Sequence, residues 1–193
     1  MAHKVYRIMD KQNPPWKTRP YDIISSMELN RIAPDFELRG LDGQLHRLSD
    51  YRGRVVVVNF WSADCPHVER TDALMLASLR GRGDAVMLLS IASNANESAE
   101  MVEQTSRSRG LPVVLLDAGN AAADLYGAQF TPELFIVDRE GVLRYHGAVD
   151  DVTFRQRNPT RSYLDEAVDA ALAGNAPPVA EVPAFGCTIV RAF

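Results

Sequence analysis

A single cysteine that follows a strand-like run and precedes a proline is the part of the sequence best suited to chemistry. Cys65 comes after the apolar residues 55–61 and is followed by Pro66 and His67. Proline favours the first turn of a helix, so Cys65 lies at or just before a helix N-terminus. The unpaired N–H groups and the dipole at that end stabilise a thiolate and lower the pKa of the thiol below its ordinary value of about 8.5. A reactive sulfur is one interpretation, and a small buried apolar side chain is the other.

The rest of the chain predicts the elements that position this cysteine. Four consecutive valines at residues 55–58 predict a strand buried on both faces, because a half-exposed strand would alternate apolar with polar residues. Residues 33–48 predict a hairpin around an Asp-Gly turn. Beyond Cys65, helices alternate with strands, which predicts crossover connections and a largely parallel sheet. The predicted helices are 66–79, 97–109, 121–126 and 163–173, and the predicted strands are 85–91, 112–116, 132–138 and 142–148.

Composition and charge limit the classes of protein to which the chain can belong. Its 193 residues fit one domain with extensions, and 46% hydrophobic against 24% charged residues is ordinary for a globular protein. A net charge of −4 disfavours nucleic acid or an anionic membrane as the main partner, since either needs a concentrated basic face. No run approaches the roughly 18 apolar residues of a membrane span. The 2 cysteines are too few for a disulfide-rich secreted scaffold.

The terminal segments are expected to lie outside the main domain. Residues 1–32 contain prolines that disfavour helix, so we expect an N-terminal arm with Trp16 packed on the domain, the alternative being a solvated linker. The arm has no apolar segment typical of a signal peptide, and the location stays open between the cytoplasm and, if a leader has been removed, export. The domain is predicted over residues 33–174, and a tail over residues 175–193 carries Cys187.

The turn around Cys65 resembles the active-site turn of the thioredoxin superfamily. The segment Phe60-Trp61-Ser62-Ala63-Asp64-Cys65-Pro66-His67 ends a strand with a Phe-Trp pair and opens a helix with Cys-Pro. The usual motif of that superfamily is Cys-x-x-Cys, and here Val68 stands in place of the second cysteine. The resemblance implies an α/β, thioredoxin-like fold with a central mixed sheet flanked by helices and an N-terminal β-hairpin.

A longer resemblance points to the redoxin branch, which holds the AhpC/TSA family and thiol reductases of the TlpA/ResA type. It is carried by Ala-Pro-Asp-Phe-Glu-Leu at 33–38 and by Leu-Ser-Asp-Tyr-Arg-Gly at 48–53, ahead of the valine strand. Thr131-Pro132 then matches the position where the thioredoxin fold has a cis X-Pro bond facing the active cysteine, the alternative being a trans proline at a strand edge. The resemblance implies that Thr131 and Pro132 flank the sulfur and offer backbone to a bound substrate chain.

Within that branch the chain resembles a group with one cysteine in the turn. Its Cys-Pro-His-Val at 65–68 is similar to the Cys-Pro-Tyr-Val of the group, and its tail Gly-Cys-Thr-Ile at 186–189 is similar to Gly-Cys-Ser-Ile. The group often has a cysteine before Thr-Pro, where this chain has Phe130, so Cys187 is the remaining intrachain partner for Cys65. Three alternatives stay open. Cys187 resolves an intermediate formed at Cys65, or the two form a static disulfide that pins the tail, or they are unconnected thiols.

Two activities fit the resemblance, and a redox-inactive binding module on the same scaffold is a third alternative. A thiol peroxidase of the family needs Pro-x-x-x-Thr-x-x-Cys, whereas here Ser62 stands at the threonine position and Val58 at the proline position. The missing proline and the lack of an assignable arginine favour thiol–disulfide exchange. His67 favours it as well, because a nearby imidazole lowers the pKa of a thiol, although a solvated histidine is an equal alternative.

The resemblance also implies the partners. The expected substrate is a protein or small-molecule disulfide or a peroxide, and the expected electron donor is a thiol reductant such as a thioredoxin. No cofactor and no metal are expected, because a copper carrier of this fold uses two nearby cysteines and a distant histidine. His46 and His146 are expected to be solvated on hairpin faces. The chemistry also requires that solvent reaches the sulfur of Cys65.

Overall fold

The structure, a computed structural model, describes residues 28–191. The expected N-terminal arm therefore lies outside the described residues except for residues 28–32, and so does Trp16. The described part contains β1 (Glu37–Gly40), β2 (Leu45–Arg47), β3 (Val55–Trp61), α1 (Pro66–Arg80), β4 (Val86–Ala92), α2 (Ala99–Arg109), β5 (Val114–Leu116), α3 (Ala121–Tyr126), β6 (Phe130–Thr131), β7 (Glu133–Val137), β8 (Leu143–Gly147), α4 (Tyr163–Leu172) and β9 (Cys187–Thr188).

Seven of these strands form one mixed sheet in the order β2-β1-β5-β4-β3-β7-β8. β3 runs parallel to β4, and β4 runs parallel to β5, whereas β7 is antiparallel to both β3 and β8. The thioredoxin-like fold with a central mixed sheet and an N-terminal hairpin is thus confirmed, but the expectation of a largely parallel sheet is wrong. Besides the hairpins β1–β2 and β7–β8, β1 pairs antiparallel with β5 and β7 pairs antiparallel with β3, so antiparallel pairings outnumber the parallel ones.

The valine run predicted to be buried on both faces is buried over all of β3. Val55 and Val57 pack in a cluster with side chains of α1 and α4, among them Met75 and Leu164. Val56 and Val58 belong to a second cluster on the opposite face, which includes side chains of α3. Both faces of the central strand are therefore packed, which fixes the point where the loop to α1 begins.

The C-terminal residues cross the edge of the domain where β3 ends. Residues 180–191, which we call the strap, follow β8 first and then pair with β6 through β9. The pairing of β6 with β9 is antiparallel and sets Thr131 opposite Cys187. Between residues 28 and 191 the structure contains no helix with the length and apolar character that a membrane crossing requires.

Candidate active site

Cys65 lies at the N-terminus of α1, as the sequence predicts. It is the N-cap residue, with extended backbone angles, and Pro66 follows as the first helical residue. The carbonyl group of Cys65 accepts hydrogen bonds from the N–H groups of Val68, at 3.1 Å, and Glu69, at 3.2 Å. Pro66 has no N–H, so the N–H of His67 is the one donor of the first turn left unpaired among the described residues, and it and the positive end of the helix dipole lie next to Cys65.

A disulfide joins Cys65 to Cys187, 122 positions apart in the sequence. The two Cα atoms are 6.2 Å apart, within the range of about 4.4–6.8 Å that a disulfide requires. The alternative of two unconnected thiols is therefore wrong. The tail that carries the second cysteine is part of the site because β9 holds it against β6.

The Thr131–Pro132 peptide bond is cis, which confirms the prediction from the resemblance and excludes a trans proline at the strand edge. The carbonyl oxygen of Thr131 is 3.2 Å from Sγ of Cys65. Thr131 is also the residue of β6 that pairs with Cys187. The backbone expected to receive a substrate chain is thus occupied by the strap.

The sulfur of Cys65 is covered in this structure. Cys65 is 2% exposed and packs in a cluster with Trp61, Ala63 and Val68, whereas Cys187 at the margin of that cluster is partly exposed. The expectation that solvent reaches the sulfur of Cys65 is therefore wrong for the disulfide form. Of the two cysteines in the disulfide, Cys187 is the more exposed.

A carboxylate that the sequence analysis missed holds the loop between β3 and α1. The hydroxyl of Ser62 donates to Oε1 of Glu97 at 2.5 Å, and the N–H of Ala63 donates to Oε2 at 2.9 Å. Asn94 donates to the same carboxylate at 2.7 Å and accepts a hydrogen bond from the N–H of Val190 in the strap. Glu97 therefore holds the loop directly and the strap through Asn94, and the Ser62 hydroxyl donates its hydrogen to this carboxylate.

A second missed carboxylate lies under the same loop. Asp72 is 2% exposed, and its Oδ2 accepts hydrogen bonds from Nε1 of Trp61 at 3.0 Å and from Arg109 at 3.1 Å. Arg109 also donates to the carbonyl oxygen of Ala63 at 3.1 Å. Burial raises the pKa of Asp72, and the hydrogen bonds from Trp61 and Arg109 offset only part of that effect.

A third carboxylate holds the chain that precedes the cis bond. Glu133 is buried and accepts hydrogen bonds from the N–H groups of Gln129, at 2.7 Å, and Phe130, at 2.8 Å. Nε2 of His146 lies 2.7 Å from its other oxygen, and Nδ1 of His146 lies 3.4 Å from Glu181 in the strap. Burial alone would lower the pKa of His146, but the hydrogen bonds and charges of Glu133 and Glu181 outweigh it and raise the pKa.

The two histidines expected in solvent are both packed instead. The ring of His146 stacks on Phe135 with 4.3 Å between ring centroids, and its side chain is 25% exposed. His46 lies with Nδ1 2.5 Å from the hydroxyl of Tyr51 and has a side chain that is 13% exposed. In both cases an aromatic neighbour and a carboxylate take the place that water was expected to fill.

His67 contacts the strap rather than standing alone at the helix start. Its ring is 4.9 Å from the ring of Phe185, which in turn is 4.7 Å from Phe154. Phe154 is 81% exposed, so this row of rings leads from the helix N-terminus to the surface. A role of His67 in lowering the pKa of a thiol stays a prediction.

Known proteins resemble this chain in sequence over the part that carries Cys65. Residues 29–146, which include Cys65, Thr131 and Pro132 but not Cys187, match the AhpC/TSA family. The thiol-disulfide oxidoreductase ResA of Geobacillus thermodenitrificans is 31% identical over 123 residues, which are 62% of this chain and 69% of that protein.

Two solved structures resemble the chain over most of its length. A hypothetical protein of Sinorhizobium meliloti 1021 has a TM-score of 0.75 at 32% identity, covering 86% of this chain and 96% of that one. An uncharacterized conserved protein of Geobacillus kaustophilus has a TM-score of 0.76 at 28% identity, covering 87% and 94%. Since the family match spans more than half of the sequence and includes the cysteine turn and the cis proline, the chain belongs to the AhpC/TSA family, in the redoxin branch of the thioredoxin superfamily.

Proposed function

We propose that this protein is a thiol–disulfide oxidoreductase whose redox couple is Cys65 and Cys187. The observation that carries the proposal is the disulfide between the N-cap of α1 and the strap. The relative from Geobacillus thermodenitrificans, named a thiol-disulfide oxidoreductase, supports the same class of reaction. The domain over residues 33–174 and the tail over residues 175–193 then form one catalytic unit, because each supplies one sulfur.

The reaction requires nothing besides thiols and disulfides. Two substrate thiols reduce the Cys65–Cys187 disulfide and leave as a substrate disulfide, and the reverse reaction reduces a substrate disulfide. Cys65 is the activated nucleophile of the couple, because its thiolate lies at the N-terminus of α1, and Cys187 is the sulfur with which it closes the internal bond. Pro66 fixes the start of the helix, and Thr131 with Pro132 forms the wall beside the sulfur.

The surroundings of Ser62 support exchange over peroxide reduction. A hydroxyl has one hydrogen to donate, and that of Ser62 points to Glu97, so it is not free to bind a peroxide oxygen. Arg109 is bound to Asp72 and to a loop carbonyl. Val58, which stands where a peroxidase has proline, is fully buried in β3. Of the groups considered for peroxide binding, the proline is replaced by Val58, and the Ser62 hydroxyl and Arg109 are bonded to other groups.

The substrate of this reaction is a protein or small-molecule disulfide, and the reductant is a thiol donor such as a thioredoxin. Exposed aromatic side chains near Cys187 support a protein partner. Phe154 is 81% exposed, and Phe130, which pairs with Thr188 beside the second cysteine, is 36% exposed. Aromatic residues of this kind are enriched where proteins dock.

The proposal is tested by equilibrating the protein with thiol redox buffers and alkylating free thiols before mass analysis. A working couple has a midpoint potential above about −300 mV, whereas structural disulfides lie below that value. Formation of the internal disulfide, and with it the two-electron redox transition, should be lost in both Cys65→Ser and Cys187→Ser, each of which can form only a mixed disulfide with glutathione. A disulfide that stays closed in buffers poised below about −300 mV would instead be a static link, and the proposal would fail.

Hydrogen peroxide separates exchange from the peroxidase alternative. The reduced protein is mixed with peroxide, and loss of thiol is followed by stopped-flow measurement. We expect a rate no greater than that of free cysteine, because the Ser62 hydroxyl is bound to Glu97. A rate about a thousandfold greater would show transition-state stabilisation at the sulfur and would favour the peroxidase.

A further inference from the structure

The two cysteines of the disulfide differ in their exposure to solvent. Cys65 is 2% exposed and is enclosed by side chains that include Trp61 and Val68. Cys187 is partly exposed at the margin of the same cluster. Because exchange depends on which sulfur a thiolate can reach, an external thiolate meets Cys187 first.

Contacts on both sides of Cys187 hold the strap in place independently of the disulfide. Before it, the N–H of His146 donates to the carbonyl of Ala180 at 3.0 Å, and the N–H of Val182 donates to the carbonyl of His146 at 3.2 Å. After it, the N–H of Ile189 donates to the carbonyl of Gln129 at 2.9 Å, and the Ile189 side chain is 4% exposed. Breaking the S–S bond therefore leaves the strap over Cys65.

The strap also passes too close to the cis bond for a substrate chain to enter between them. A Cβ atom placed on Gly186 would overlap the carbonyl group of Thr131. The oxygen of that carbonyl is the one that lies 3.2 Å from Sγ of Cys65. Because Gly186 has no Cβ, the strap can pack directly against the Thr131 carbonyl, next to the buried sulfur of Cys65.

We propose that external thiols and disulfides react at Cys187 and that Cys65 reacts only with Cys187, an inference that rests on the proposed function. A substrate thiolate attacks Sγ of Cys187, breaks the Cys65–Cys187 bond and forms a mixed disulfide at Cys187, while Cys65 leaves as a thiolate. A second substrate thiolate attacks the substrate sulfur of the mixed disulfide and displaces the Cys187 thiolate. One protein disulfide is reduced, two substrate thiols become one disulfide, and their two protons pass to the protein thiolates or to solvent.

The position of Cys65 suits a leaving group. As the N-cap of α1, Cys65 has its thiolate stabilised by the helix N-terminus, and a sulfur that leaves as a more stable thiolate leaves faster. In the reverse direction, Cys65 attacks the mixed disulfide on Cys187 and releases the substrate. The order is opposite to the one expected from the sequence, in which Cys65 attacks the substrate and Cys187 resolves the intermediate.

Single-cysteine variants of the full chain test this order. Cys65→Ser leaves only the Cys187 thiol, and Cys187→Ser leaves only the Cys65 thiol. Each is mixed with glutathione disulfide, and mixed-disulfide formation is followed by mass. We expect the Cys187 thiol to react at least about tenfold faster than the Cys65 thiol in the folded proteins, and the difference to disappear in concentrated guanidinium chloride. Faster reaction of the Cys65 thiol in the folded protein would overturn the proposal.

A glycine substitution tests whether the strap is the cover. Gly186→Ala, added to Cys187→Ser, pushes the strap from the Thr131 carbonyl, and the Cys65 thiol should then react about tenfold faster. The matched control is Gly81→Ala in the same background, because a Cβ at Gly81 meets open space on a right-handed backbone, and it should change nothing. An unchanged rate in the Gly186→Ala variant would overturn the role of the strap.

Failure of this inference is distinguishable from failure of the proposed function. If glutathione reduces the wild-type disulfide but the Cys65 thiol is the faster one, thiol–disulfide exchange stands and the order of attack falls. If redox buffers never open the disulfide in the wild-type protein, the proposed function falls, whatever the two variants show.

Discussion

The two sulfurs are carried by regions of different construction. Cys65 lies between β3, which is buried along its whole length, and α1, whose buried Asp72 bonds to Trp61 and Arg109. Cys187 lies on the strap, which is held by hydrogen bonds and contacts along sheet edges and has one buried side chain, that of Ile189. Segments with few buried apolar contacts open at lower free energy than a core. Any opening that catalysis needs is therefore expected in the strap and not around Cys65.

The largest expected effect comes from cutting the covalent link between these two regions. The disulfide spans 122 positions, and by the chain-entropy argument a loop of that size adds about 4–5 kcal/mol to the free energy of unfolding. Urea denaturation of the oxidised and reduced proteins should show a difference approaching that value. Cys187→Ser is the control and should unfold identically with and without reductant. Equal stability of the two wild-type forms would mean that the denatured chain already keeps the ends together.

The region that carries Cys65, from β3 to α1, was easier to predict from the sequence than the strap. Four valines predicted a doubly buried strand, and Cys-Pro predicted the start of α1, because both signals are local in the sequence. The helix over residues 121–126 also has its predicted bounds. The resemblance to the redoxin branch supplied the cis bond at Thr131–Pro132, which no local pattern specifies.

The strap could not be predicted, because its structure depends on distant partners. It has no hydrophobic period, and β9 exists only where its two residues pair with β6. The buried carboxylates left a fainter signal that can be recognised afterwards. Asp72 interrupts the buried stripe Val68, Thr71 and Met75 of α1, and Glu133 begins an otherwise apolar strand. A charge in an apolar stripe indicates a buried partner, but the sequence does not say which one.

A substitution beneath Cys65 should lower the stability of the whole domain and leave the attachment of the strap unchanged. Asp72→Ala leaves the Arg109 guanidinium, whose side chain is 17% exposed, and the Trp61 N–H without their acceptor. Loss of one member of a buried ion pair costs about 3 kcal/mol or more, so the free energy of unfolding should fall by that amount. Hydrogen exchange of the Val182 and Ile189 amides should remain as protected relative to global unfolding as in the wild type.

Asp72→Asn is the matched control for that substitution. Asparagine keeps an oxygen acceptor for the Trp61 N–H and removes the charge of a carboxyl group whose pKa is already raised by burial. We therefore expect the free energy of unfolding to fall by only about 1 kcal/mol. If the alanine and asparagine variants were equally unstable, the charge of Asp72 and not its hydrogen bonds would dominate. Early loss of protection at Val182 in either variant would show that the two regions do not behave separately.

The smallest effect should be a pH dependence confined to the strap. His146 bonds to Glu133 and Glu181, and these carboxylates raise its pKa in the folded protein above the ordinary value. A group with a raised folded pKa contributes stability that is complete below its unfolded pKa of about 6.5 and is lost as pH rises through the folded value. When the strap opens, His146 loses Glu181 but keeps Glu133, so the strap should open more readily as pH rises through the raised pKa of His146, by less than about 1 kcal/mol because Glu181 is exposed.

The measurement is hydrogen exchange of the Val182 amide, which donates to the His146 carbonyl, corrected for the intrinsic pH dependence of exchange. His146→Asn should remove the remaining pH dependence. His46→Asn is the matched control, since His46 lies on β2, at the opposite edge of the sheet from β8, and also pairs with a carboxylate, that of Asp42. If His46→Asn altered the exchange of Val182 as much as His146→Asn did, the effect would belong to the whole sheet. An effect of His146→Asn alone would show that the pH dependence belongs to His146, whose side chain contacts the strap at Glu181.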